Sequence, residues 1–123
     1  MMERKASPLQ EKSEAFARRI IKLYHFLIKS KHENVMSKQI YRSGTSIGAN
    51  IAESKNAQSP ADFISKLSIA LKESDETEYW LKNLHQTGII NDIEFESLHN
   101  DNIEITKMLT SSIKTIKKRL GIL

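Results

Sequence analysis

The chain has no cysteine among its 123 residues, which excludes disulfides and thiolate metal sites and fits a reducing compartment. It has only two prolines and four glycines, so little in it would interrupt long regular segments. No apolar stretch approaches the roughly 20 residues that span a bilayer. The opening Met1-Met2-Glu3-Arg4-Lys5 also lacks the apolar run of a signal peptide. These absences lead to an expectation of a cytoplasmic protein with no membrane partner. One tryptophan, three tyrosines and four phenylalanines are all the aromatics available. Charge is mildly one-sided, with 19 Lys and Arg against 15 Asp and Glu, a net +4. That allows nucleic-acid binding but falls short of the density of a dedicated basic arm.

What is present is rich in Lys, Glu, Leu, Ile and Ala and reads as helix throughout. The length suits a single domain with one core, 1–123. Three starts are marked by capping chemistry. Ser7-Pro8-Leu9-Gln10 offers a cap serine, proline at the first helical position and Gln at the capping-box position. Ser59-Pro60-Ala61-Asp62 repeats that logic, and Asn91-Asp92-Ile93-Glu94 supplies a cap asparagine and a box glutamate. Gly88 and Gly121 are placed to stop the third and fourth helices. The signals predict helices over about 8–30, 37–56, 60–87 and 92–120, joined by short turns as an antiparallel up-down-up-down four-helix bundle. Apolar stripes support each: Leu9, Phe16, Ile20, Leu23 and Leu27 in the first, and Phe63, Leu67, Ala70, Ser74, Thr77, Leu81 and Leu84 in the third. The fourth carries Phe95, Leu98, Asn102, Ile105, Leu109, Ser112 and Ile116.

The second helix is the odd one. Arg42 to Glu53 contains Gly44 and Gly48 together with Ser, Thr, Asn and Ile, all weak helix formers, the glycines by about 1 kcal/mol each. Yet Ile40, Gly44, Ile47 and Ile51 recur at helical spacing. A polar, small face of Arg42, Ser46, Ala49 and Glu53 lies opposite, and Gly48 with Ala52 makes a bare flank. A helix this weak needs close neighbours on more than one side. Arg42, Ser46, Asn50 and Glu53 are candidates to pair with Ser74, Glu76 and Glu78, across the bundle or a subunit boundary. Such a network fixes register and association when all its partners are present.

The same residues carry a family resemblance. Arg42-Ser43, Ser46-Ile47 and Asn50-Ile51-Ala52-Glu53, then Asp62-Phe63, Leu67-Ser68-Ile69-Ala70-Leu71, Glu76, Glu78-Tyr79-Trp80-Leu81 and Thr87-Gly88, resemble the signature of four-helix-bundle proteins encoded by 23S rRNA intervening sequences. The chain departs from many members in having Ser54 after the motif glutamate and Lys72-Glu73 in place of Gly-Ser. The resemblance implies a homo-oligomer, a pentameric ring. It also implies a link to nucleic acid, because a relative, the accessory variability protein of diversity-generating retroelements, is a basic barrel that binds nucleic acid and a reverse transcriptase.

Chemistry of other kinds finds little support. A di-iron bundle needs two Glu-x-x-His pairs and two further glutamates, and only Glu96 with His99 fits; lysines stand three before His25, His32 and His85. No metal or cofactor is expected. Gly44-Thr45-Ser46-Ile47-Gly48 lacks the lysine, the spacing and the preceding strand of a phosphate-binding loop. No serine–histidine spacing suggests a nucleophile, so no catalytic residue and no enzyme is expected. The functional candidates are Lys107, Lys114, Lys117, Lys118 and Arg119, a basic run near the end of the last helix. Cations there also complement a helix C-terminus. The leading expectation is a non-enzymatic oligomeric scaffold that binds RNA or DNA, with room for a protein partner. The alternative is a structural or protein-interaction module with no nucleic-acid role.

Overall fold

A computed structural model describes residues 7–122. Four helices follow one another: α1 (Pro8–Ser30), α2 (Met36–Ser54), α3 (Pro60–Gln86) and α4 (Asp92–Arg119). Among the described residues there is no strand. The capping signals act where the sequence places them. Ser7 Oγ accepts the Gln10 amide at 3.1 Å and Ser59 Oγ the Asp62 amide at 3.0 Å. Asn91 and Glu94 cap each other's backbone in a full capping box. α2 starts differently. Val35 at its cap position has no polar side chain, and Glu33 reaches forward from the turn instead, its Oε1 taking the Ser37 amide at 2.7 Å and the Val35 amide at 3.1 Å.

The ends lie within one or two residues of expectation. α2 stops at Ser54 rather than near 56, where the Lys55 amide already turns back to Ala52. α3 closes through Gly88 at φ +79°, with Gly88 bonded to His85 O and Ile89 to Leu84 O. That pair of bonds is the Schellman cap, and the left-handed backbone it needs suits glycine.

Cross-helix contacts give an up-down-up-down arrangement. Lys12 meets Glu104 and Arg19 meets Asp101; Ser43 meets Thr77 and Glu53 meets Lys66; Ser74 meets Asn102 and Glu78 meets His99. In each series the numbers rise on one helix as they fall on the other, so neighbours are antiparallel. α2 packs between α1 and α3, α4 closes against α3, and the α1–α4 seam is the slightest. The core is the expected one along α1 and, from Leu67 on, along α3, while Phe63 is half-buried. Phe16, Ile20, Leu27, Leu67, Ala70, Leu81 and Leu84 are buried, as are Ser74 and Thr77. In α4 the stripe drifts at its end: Ile113 is buried, while Ser112 and Ile116 are half-exposed.

Both glycines of α2 face α1. A Cβ on Gly44 would stand 2.8 Å and 2.9 Å from the two γ-carbons of Ile20, which is fully buried. A Cβ on Gly48 would stand 3.3 Å from the backbone oxygen of Ser13. α1 therefore lies close against α2 both at Gly44 of the apolar stripe and at Gly48 of the bare flank. This is how a helix of poor propensity persists: α1 and α3 cover it on two sides.

Candidate nucleic-acid interface and the polar faces of the bundle

The polar residues of α2 divide among different partners. Arg42 reaches α3, with Nη1 3.1 Å from Glu73 Oε2 and Nη2 bonded to Glu76. Glu76 also accepts from Trp80 Nε1 at 3.4 Å. The Arg42 bond holds the Glu76 carboxyl below the usual carboxylate range, and the same bond raises the Arg42 guanidinium further. Ser46 and Asn50 bond back to their own helix, at Arg42 O and Ser46 O. Glu53 pairs with Lys66 at 3.0 Å, which raises the lysine. Of the pairings anticipated for this face, Arg42 with Glu76 is made. Ser74 and Glu78 turn the other way, to α4.

That second set forms a buried polar layer. Ser74 Oγ donates to Asn102 Oδ1 at 3.0 Å, Asn102 Nδ2 donates to Ser74 O at 3.0 Å, and the Thr106 hydroxyl lies 2.6 Å from Ser74 Oγ. Asn102 is 2 % exposed. One helix away, the hydroxyls of Thr77 and Ser43 lie 3.0 Å apart. Every side-chain hydrogen-bonding group of Asn102 and Ser74 meets a partner within the core, which is the condition for a buried polar group to be tolerated.

Toward the α3–α4 turn, Phe95 is sandwiched between His85 and His99, with ring centroids 4.3 Å and 4.8 Å away and nearly parallel planes. His99 Nε2 sits 2.8 Å from Glu78 Oε1, and His85 Nε2 sits 2.6 Å from Asp92 Oδ1. The His99 bond lowers the Glu78 pKa, with Lys82 adding to it. A lowered carboxylate contributes stability above its ordinary value of about 4.3, and that contribution disappears as pH falls through the depressed value. Glu78→Gln should therefore flatten the fall of stability below about pH 4.3, read as a shallower trend of the urea midpoint with pH. Among the described residues no three His, Asp or Glu side chains gather as a metal-ligand group.

The basic run of α4 is mostly open. Lys107, Lys114, Lys118 and Arg119 are exposed and Lys117 is half-buried. Among the described residues none of the five pairs with a carboxylate. Steps of seven and four residues put Lys107, Lys114 and Lys118 on one line along the helix, spanning about 16 Å. Lys117 and Arg119 stand to either side of it. No helix here is long and apolar enough to cross a membrane, among the described residues.

Known proteins of similar sequence and shape bear on what this surface belongs to. No curated protein matches the chain. A crystal structure of a protein of unknown function from the S23 ribosomal protein family, from Bacteroides thetaiotaomicron VPI-5482, is similar at 58 % identity with a TM-score of 0.86. The match covers 86 % of this chain and 98 % of that one. A profile of the 23S rRNA-intervening sequence proteins matches residues 6–111, and with the motif residues of α2 and α3 in one bundle the chain belongs to that family.

Proposed function

We propose that this protein is a non-enzymatic, cytoplasmic, oligomeric scaffold that binds RNA or DNA along the exposed line of α4, alone or together with a protein partner. The observation that carries this reading is the row Lys107, Lys114 and Lys118, open to solvent and free of carboxylate partners among the described residues. Phosphate-backbone binding needs such a row of accessible cations and little else. The assembly proposed is a homopentamer, as the family resemblance implies. Support comes from the outer face of α2, where Ala49 and Glu53 are exposed and Ser46 and Asn50 half-exposed. Ser46, Ala49 and Asn50 are small, and Ser46 and Asn50 bond back to their own helix, which leaves a flat surface for a second copy. A ring would repeat the basic row around its circumference.

Lys114→Glu combined with Lys118→Glu tests the interface. Helicity should be retained, since both side chains are exposed. Affinity for single-stranded RNA should fall at least about tenfold, and the slope of log K against log salt should shrink by about two phosphate contacts. Titration at two salt concentrations reads both. An unchanged affinity and slope would remove the row from consideration. Light scattering showing a stable monomer at micromolar concentration would end the oligomer proposal.

A second reading, a protein-interaction module without nucleic acid, is favoured by exposed apolar side chains on α3: Tyr79 at 59 % and Ile69 at 40 % exposure. Failure of the unmodified protein to bind RNA or DNA even at low salt would select it.

A further inference from the structure

The bundle closes unevenly at the end where α1 and α3 begin. The pairing of Lys12 with Glu104 sets the first turn of α1 about level with Met108, and α4 continues past it. All four helices border a cavity of about 620 Å³ there, inside the range of about 300–1,000 Å³ typical of small-molecule sites. Each helix contributes an apolar wall: Leu9 from α1, Ile51 from α2, Leu67 and Phe63 from α3, and Met108 from α4. Leu9, Ile51 and Leu67 belong to the buried core, so the cavity opens the core itself to the surface.

Its charged groups among the described residues are of one sign. Lys55, just past the end of α2, and Lys107 on α4 both line it and both are exposed. Neither is ion-paired among the described residues, and no carboxylate is among the described residues that line the cavity. Serine hydroxyls, Ser111 and Ser112 among them, complete the rim. An apolar chamber lined by two cations and, among the described residues, by no anion selects by charge as well as by hydrophobicity. A neutral apolar molecule would leave the lysines without a partner, and a cationic amphiphile would be repelled by them.

We propose that this cavity binds a free amphipathic monocarboxylate, its apolar tail against Leu9, Ile51, Leu67 and Met108 and its carboxylate between Lys55 and Lys107. This goes beyond scaffold function and is independent of it, although Lys107 belongs to both surfaces.

The test is titration of the full chain with octanoate, followed by amide chemical shifts, beside octanol and octyltrimethylammonium of the same tail length. Octanoate should saturate at millimolar concentration or below, moving the amides of Leu9, Ser54 and Met108, with octyltrimethylammonium inert. Lys55→Glu with Lys107→Glu should weaken octanoate binding about tenfold or more, since two attractive charges become repulsive, while far-ultraviolet circular dichroism stays unchanged. Met108→Trp, which adds bulk to the apolar wall that the tail lies against, should weaken binding of both octanoate and octanol. Three results would overturn the proposal: no saturable shift with octanoate, equal binding of the cationic amphiphile, or full affinity in the Lys55 and Lys107 double variant. Contacts in the ligand-free protein that place residues 1–6 inside the chamber would also overturn it.

Discussion

Gly44→Leu is expected to cost about 3 kcal/mol or more of folding stability, at the upper end of overpacking effects. The site has no slack. A single Cβ would already stand 2.8 Å from Ile20, whose side chain is branched and wholly buried. Neither γ-carbon of Ile20 can rotate away without displacing the other. Gly44→Ala should be milder, because a helix propensity gain of about 1 kcal/mol offsets part of the strain; a net loss of about 1–2 kcal/mol is expected. Gly48→Ala should be close to neutral, because a helix propensity gain of about 1 kcal/mol offsets a tight contact, 3.3 Å to the Ser13 carbonyl, that a small shift of the backbone relieves. Gly48→Leu has no such latitude against a backbone and should cost roughly 1–3 kcal/mol. Urea denaturation of the four variants checks the order. Combining Gly44→Ala with Ile20→Ala should recover part of the strain, visible as non-additivity in a double-mutant cycle. Equal stability of Gly44→Leu and the unmodified protein would mean that α1 and α2 are not in close approach there.

Removing the carboxamide at the centre of the bundle should have an effect of similar size. Asn102→Ala is expected to destabilise by about 2–4 kcal/mol, because it opens a cavity in the core and leaves Ser74 groups with fewer partners. Asn102→Leu, branched alike though larger, tests which part dominates. If packing matters most, leucine should recover more than half of the loss. If the hydrogen bonds lost by Ser74 matter most, leucine should do little, and Asn102→Leu with Ser74→Ala should restore stability. Thermal melts read all of these. The polar layer also bears on specificity, since shifting α4 by one turn against α3 would separate Asn102 from Ser74 and put a carboxamide among leucines. Loss of a single well-dispersed set of amide signals in Asn102→Leu, with stability preserved, would be the mark of that role.

Much of the architecture is decided within single turns of the chain, and those parts could be read directly. Ser7-Pro8, Ser59-Pro60 and Asn91 with Glu94 form helix starts because a side chain bonds an amide three residues on, whatever lies elsewhere. The stripe from Leu67 to Leu84 is buried as expected because its four-and-three spacing defines one face of any helix it forms. The exposure of the basic row follows from the same periodicity. Where a contact joins distant positions, local rules fall silent. Nothing near Glu33 marks it as the cap of α2, because the glutamate acts from outside the helix. Arg42 and Ser74 both have polar side chains on neighbouring helices, yet Arg42 meets α3 while Ser74 meets α4. That choice depends on how each helix is rotated about its axis, which only the packing of all four sets.

From its sequence alone this protein is a family member built as an all-α bundle of four helices, with three of its helix starts, its seams and its basic row in place. Tertiary structure decided that both glycines of α2 face α1, that Asn102 closes on Ser74, and that one end of the core lies open beside Lys55 and Lys107. The division has one physical cause: hydrogen bonds and periodicity within a helix act over a few residues, whereas close approach, polar pairing and cavities arise only where separate helices meet.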